Sequence, residues 1–259
     1  MPADRPRPLP LETRVASVER LSQSLVRVVV EGEALAGFGE PSHADSYVKV
    51  LFRHPDGTDA RRTYTVRAFD REQRQLTLDF VVHGDAGLAG PWAASAAPGD
   101  EVRLQGPGGG YSPGAEAAWH LLVGDESALP AIAVALERMP ADARVTAFVE
   151  VHGPEDEIPL ARPVTWLHRG DAPVGSLAVG AVRVWPQPVG DGQAFVHGEA
   201  AMVREIRREL RVVRSLPLES LSISGYWRAG VDDEGWRAVK RDWNQAVEES
   251  EQALTGLHP

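Results

Sequence analysis

The chain has 259 residues, 43% of them hydrophobic, enough for one large or two ordinary domains with a sizeable core. A formal net charge of −10 argues against nonspecific binding to nucleic acid or an anionic membrane, and there is no run of about eighteen apolar residues to span a bilayer. The absence of cysteine excludes disulfides, thiolate zinc sites and cysteine-ligated iron–sulfur clusters, and fits a reducing cytoplasm.

Met1 to Pro10 is rich in Pro and Arg, has no apolar segment, and reads as a mobile arm rather than a secretory signal. Residues 11–113 read mostly as β-structure. Leu25 to Val30 is dominated by β-branched residues. Tyr47 to Arg53, Arg61 to Phe69, Gln75 to Val82 and Glu101 to Gln105 follow, with Gly and Pro in the gaps, such as the turn His54-Pro55-Asp56-Gly57. Short strands with frequent turns predict a closed antiparallel barrel. A short helix is expected within Leu88 to Ala97. Gly106 to Gly114 is too rich in Gly and Pro to continue either element, and a domain boundary is expected there.

From residue 114 to 235 the pattern changes to strand–helix alternation. His120 to Val123 is a short apolar strand, and Leu129, Ile132, Ala133 and Leu136 then fall at helical spacing. Val145 to Val151, Val164 to Leu167, Ala194 to His197 and Leu221 to Tyr226 are further strands, with a helix from about Ala200 to Arg211. This order predicts an α/β domain with a parallel sheet. Residues 236–259 read as a terminal helix and tail, with Trp236, Val239, Trp243, Ala246 and Val247 near one face.

Four places draw attention. In Arg62-Thr63-Tyr64-Thr65-Val66-Arg67, alternation puts Arg62, Tyr64 and Val66 on one strand face and Thr63, Thr65 and Arg67 on the other. An aromatic plane beside a fixed cation and a hydroxyl suits a flat, anionic ligand such as flavin adenine dinucleotide (FAD), with Arg62 forking a phosphate. The bland alternative is a core strand with scattered charges. Next, the glycine loop His83 to Trp92 enters a helix, where backbone amides bind diphosphates; here the alternative is an inter-strand loop with a core Trp92. Third, Gly124-Asp125-Glu126-Ser127 lies at a strand end opening a helix, the usual ligand position of open α/β sheets, although Asp125 or Ser127 could equally cap that helix. Gly198-Glu199-Ala200 repeats that geometry. Lastly, Lys49 and Arg228 are strand cations whose alternatives are solvent exposure and packing on an aromatic ring. His168 and Arg169 could meet a 2′-phosphate or be ordinary loop residues. The histidines show no metal-ligand spacing, and Gly-x-Ser-x-Gly is missing, so neither a protein-ligated metal nor hydrolase chemistry is expected.

Ordered words along the chain resemble the siderophore-interacting protein family, flavin-dependent ferric-siderophore reductases of the ferredoxin-reductase-like superfamily. They are Tyr47-Val48-Lys49, Arg62-Thr63-Tyr64-Thr65-Val66-Arg67, Asp79-Phe80-Val81-Val82-His83-Gly84-Asp85, Trp92-Ala93, Pro98-Gly99-Asp100, Gly106-Pro107, Gly124 to Ile132, Gly198-Glu199-Ala200 and Gly225-Tyr226-Trp227-Arg228. The resemblance implies a Greek-key flavin-binding barrel at 11–113 and an NAD(P)H-binding-like domain at 114–235. It implies FAD contacts from Arg62, Tyr64, Thr65, His83, Gly87, Ala89 and Trp92. Leu88 and Gly90 stand where the family usually has Pro and Ser, which leaves backbone donors alone in the diphosphate loop. It further implies NADPH or NADH at Gly124, Asp125, Glu126, Ser127, Gly198 and Glu199, a ferric siderophore at Lys49 and Arg228, no catalytic acid or base, and a ferredoxin-like protein as an alternative donor. The competing readings are a flavoprotein reductase for another acceptor and a non-enzymatic siderophore-binding protein.

Overall fold

The computed structural model describes residues 9–53, 57–82 and 87–255. Most of the expected N-terminal arm, the turn at His54-Pro55-Asp56 and the loop start at His83 lie outside the described residues. The chain forms two compact units, Met1–Gly110 and Tyr111–Pro259.

In the first unit, β1 (Leu11–Arg20), β2 (Leu25–Glu31), β3 (Tyr47–Arg53), β4 (Asp59–Asp70), β5 (Gln75–Val81) and β6 (Glu101–Gly108) close into an antiparallel barrel. The order is β1-β2-β5-β4-β3-β6. β2 pairs with β5 rather than β3, the long connection of a Greek key. Period-two alternation decides what lies inside. Val26, Val28 and Val30 of β2 and Val48 and Val50 of β3 are all at most 2% exposed, each contributing roughly 1.5–3 kcal/mol by burial. Between them Arg27 turns outward and forks onto Asp79 at 2.7 and 2.9 Å. β1 was not separately expected: only Thr13 and Val15 of its ten residues are buried, too few for a clear alternation. The short helix α1 (Ala89–Ser95) follows β5. A Cβ on Gly90 would come within 3.3 Å of the Val81 carbonyl oxygen, so α1 lies tight against the strand.

In the second unit, β7 (Trp119–Asp125), β8 (Val145–Val151), β9 (Thr165–His168), β10 (Gly192–Glu199) and β11 (Leu221–Trp227) form a parallel sheet in the order β11-β10-β7-β8-β9. Its central strands are covered on both faces and read as unbroken apolar runs; Leu121, Leu122 and Val123 are fully buried. The helices are α2 (Leu129–Arg138), α3 (Ser176–Val184), α4 (Ala200–Arg208) and α5 (Asp233–Thr255). α3 was not expected, because Gly180 and three valines hide a helical pattern in its nine residues. α4 ends three residues earlier than the periodicity predicts and passes into a π-helical turn, Glu209–Val213. β7 pairs with both β8 and β10, so the winding reverses there and the carboxyl ends of β7 and β10 flank the switch point.

The terminal helix is held within this unit. Trp236 and Val247 are buried, but Val239 is 41% exposed, so the expected apolar face is narrower than the sequence suggests. Glu251 accepts from Arg207 Nε at 2.6 Å and Arg211 Nε at 2.5 Å. Burial works to raise its pKa, but the two guanidiniums outweigh it and the net direction is down. No helix among the described residues is long and apolar enough to cross a membrane.

Candidate flavin and nucleotide sites

In the barrel, the register pairs Val50 with Arg62 and Val48 with Tyr64. Arg62 and Tyr64 therefore share the inward face with two core valines. Arg62 is 6% exposed, and its Nη1 donates to the Arg61 carbonyl at 3.2 Å. Tyr64 is half-buried, with its ring 4.1 Å from that of Phe80. Thr65 lies on the opposite face, paired with Tyr47, and is 8% exposed where simple alternation would leave it open. A bulge between Val66 and Ala68 then breaks the alternation.

A guanidinium, a partly open aromatic ring and a hydroxyl within four strand positions, Arg62 to Thr65, form a donor set that fits a flat nucleotide cofactor with an anionic tail. Gly87 leads into α1 with φ of +81°, and Ala89 is buried in that helix. Trp92 is half-buried, edge-on to Phe52 at 5.6 Å and tilted against Phe80 at 5.3 Å, so its ring belongs to the barrel core. Lys49, between Val48 and Val50, faces outward and is exposed.

The strand ends of the second unit are knitted together by carboxylates. Asp125 is fully buried. Its Oδ1 accepts from the Ser127 backbone N–H at 2.9 Å and hydroxyl at 2.5 Å. Its Oδ2 accepts from the Glu199 N–H at 2.7 Å and the Trp227 indole at 2.9 Å. Burial pushes its pKa up against the opposing pull of these bonds. The expected cap is thus corrected: the N-cap of α2 is Ala128, with no side-chain cap, because Asp125 Oδ1 stops at Ser127 and its Oδ2 reaches across the sheet. Gly198 has φ of +136°, and a Cβ there would meet Asp125 Oδ2 at 2.6 Å, so only glycine allows the carboxylate this close. Gly124 is equally confined, with the Ala128 Cβ 2.5 Å from where its own would be.

Glu199 caps α4, accepting from Ala201 N at 2.6 Å and Met202 N at 2.9 Å, and also from Ala229 N at 3.2 Å. Glu126 accepts from His152 N at 3.0 Å and pairs with Arg169 at 2.7 Å. Burial and the neighbouring Asp125 raise its pKa despite Arg169. His168 is paired with Glu157 at 2.8 Å. Arg228 follows β11 and is exposed; among the described residues neither it nor Lys49 makes an ion pair, and Arg228 stacks on no ring.

Three participants escaped the sequence reading. Glu150, fully buried at the end of β8, caps α3 through Gly175 N at 2.5 Å, Leu177 N at 3.0 Å and Ala178 N at 2.9 Å. Its signal was a lone acid inside the apolar run Val149-Glu150-Val151. Trp227 is the distant partner of Asp125, which no local pattern announces. His197 stacks on Phe195 at 3.8 Å, and its Nε2 lies 3.0 Å from the Ser222 hydroxyl. Burial, then Lys240, pushes its pKa down to about 3, so it is neutral at physiological pH.

The profile of siderophore-interacting FAD-binding domains matches residues 14–61 and 56–111, and that of siderophore-interacting proteins residues 117–230. An uncharacterized protein of Mycobacterium tuberculosis is 38% identical, over 90% of this chain and 95% of that protein. The ferric vibriobactin reductase of Vibrio cholerae is 33% identical, over 83% of this chain and 88% of the reductase. The crystal structure of a siderophore utilization protein from T. fusca superposes with a TM-score of 0.78 at 37% identity, covering 86% of this chain and 94% of that one. The chain has the ferredoxin-reductase-like fold, an antiparallel barrel followed by an α/β domain with a parallel sheet.

Proposed function

We propose, since the chain belongs to the siderophore-interacting protein family, that it is a flavin-dependent reductase taking electrons from NADPH or NADH and passing them through FAD to a ferric siderophore. The observation that carries this reading is the β4 pairing of buried Arg62 with half-buried Tyr64, inside the segment matched by the FAD-binding profile. The chemistry named for the Vibrio relative supports the choice of acceptor.

Ferric iron is a hard cation held by oxygen-rich chelators, and reduction to the softer ferrous ion loosens that hold. A dihydronicotinamide gives two electrons as hydride, whereas each iron takes one; bound FAD supplies the conversion between them. The chain's own residues hold and orient. Arg62 would hold the FAD diphosphate, Tyr64 the ring system, and Thr65 would offer its hydroxyl to the ring's polar edge. Backbone donors near Gly87 and Ala89 would add to the diphosphate grip, with Trp92 supporting α1 from the barrel core.

Gly124, Asp125, Glu126 and Ser127, with Gly198 and Glu199, border the nicotinamide through their turns, since their carboxylates are engaged within the unit. Lys49 and Arg228 supply exposed positive charge for an anionic siderophore. No side chain acts as general acid or base. A cysteine-free chain suits the reducing cytoplasm, where we place the reaction.

The test is the double variant Lys49→Ala/Arg228→Ala. Losing two exposed cations should raise the KM for an anionic ferric siderophore about tenfold. Flavin content, and the KM for an uncharged ferric chelate, should stay as they are. An unchanged KM for the anionic substrate would remove both residues from the substrate site.

A further inference from the structure

β11 ends on Trp227, and the exposed Arg228 that follows makes no side-chain hydrogen bond or ion pair among the described residues. Its backbone, however, is tied on both sides to buried carboxylates of neighbouring strands. Before it, the Trp227 indole N–H donates to Asp125 Oδ2 at 2.9 Å, at the end of β7. After it, the Ala229 backbone N–H donates to Glu199 Oε1 at 3.2 Å, at the end of β10. Both carboxylates are at most 3% exposed. A turn closes on the same residue: the Val231 N–H donates to the Arg228 carbonyl at 3.2 Å, with Gly230 at φ of +76°.

The sheet is irregular where these ties are made. Gly198 pairs with Gly225 but Glu199 pairs with Trp227, so the pairing slips by one residue at Tyr226. Such bulges re-aim the side chains beside them. Arg169, another cation just past a strand end, is built differently, because its own side chain is paired with Glu126 at 2.7 Å. At Arg228 the backbone is fixed and the guanidinium is left open. That arrangement suits a charge kept for an external anion, since the segment carrying it is ordered before the anion arrives.

We infer that Asp125, acting through Trp227, and Glu199 are positioning residues that hold the backbone on either side of Arg228, so that its guanidinium meets an anionic ferric chelate already in place. This rests on the reading of Arg228 as a substrate-site residue given above, and names what places it.

The experiment measures KM in the FAD-loaded full chain for ferric EDTA, which is anionic, and ferric tris(maltolate), which is uncharged. Trp227→Phe keeps an aromatic ring and removes the N–H. It should raise the KM for ferric EDTA about fivefold, leave that for the maltolate complex within about twofold, and add nothing on an Arg228→Ala background. Hydrogen exchange over residues 228–231, followed by mass spectrometry, should quicken about tenfold, a readout independent of turnover. Should Trp227→Phe not fold, Gly230→Ala takes its place with the same expected results. It strains the turn at an exposed position with open space around it. No rise for ferric EDTA, an equal rise for both chelates, a further rise on the Arg228→Ala background, or unchanged exchange would overturn the inference and leave Arg228 in the substrate site. If Arg228→Ala itself leaves the KM for ferric EDTA unchanged, the substrate-site reading fails and this inference fails with it.

Discussion

Arg62→Ala is expected to emerge from purification nearly colourless, with flavin affinity lowered about a hundredfold. The side chain is 6% exposed on the inward face of β4, opposite Val50. A guanidinium in that setting forms charge-assisted bonds to a diphosphate, each worth about 1.5–3 kcal/mol, and alanine removes both arms of the fork. Arg62→Lys keeps the charge but not the planar pair of donors, so an intermediate flavin content is expected. Tyr64→Phe serves as a comparison: its ring packing 4.1 Å from Phe80 survives, and flavin content should fall little. Flavin-to-protein absorbance ratios and fluorescence titration decide the matter. Stoichiometric flavin in Arg62→Ala would exclude this residue from the cofactor site.

The second large effect concerns stability. Asp125→Asn replaces an acceptor of four hydrogen bonds by a group that must present its NH2 to one side. Oδ1 faces the Ser127 N–H and hydroxyl, and Oδ2 faces the Glu199 N–H and the Trp227 indole N–H. The hydroxyl can turn to accept, but whichever way the amide is set, at least one N–H meets another N–H in a fully buried place. A loss of about 3 kcal/mol is expected, lowering the Tm by roughly 6–12 °C in a unit of this size. Differential scanning calorimetry checks it. A variant melting with the wild-type protein would mean that Asp125 does not tie β7 to β10 and β11.

The physical reason why some features were legible before the structure lies in the range of the interactions. β2 and β8 announce themselves through β-branched or apolar residues at the right period, and their strands run close to the expected limits. The barrel and parallel sheet follow from that local spacing, and the words on β4 and after β7 carried the family resemblance. α3 was invisible because what starts it is Glu150, some 25 residues upstream. The role of Asp125 was misjudged for a similar reason, since its partners Glu199 and Trp227 lie 74 and 102 residues away. Thr65 lies on the face that alternation assigns to it, but its burial opposite Tyr47 depends on a strand pairing that the local sequence does not announce. Local chemistry is written in the sequence; the pairing of strand ends is decided by the sheet order.

On the proposed function, electrons leave a flavin held by this chain and reach iron. The most direct measurement reduces the FAD-loaded protein in the absence of oxygen, then mixes it with a ferric siderophore and a ferrous-specific chelator. Rapid return of the oxidised flavin spectrum is expected, with a pair of ferrous ions trapped for each flavin. A flavin that stays reduced until air is admitted, or a protein that binds the ferric chelate but holds no flavin, would contradict it.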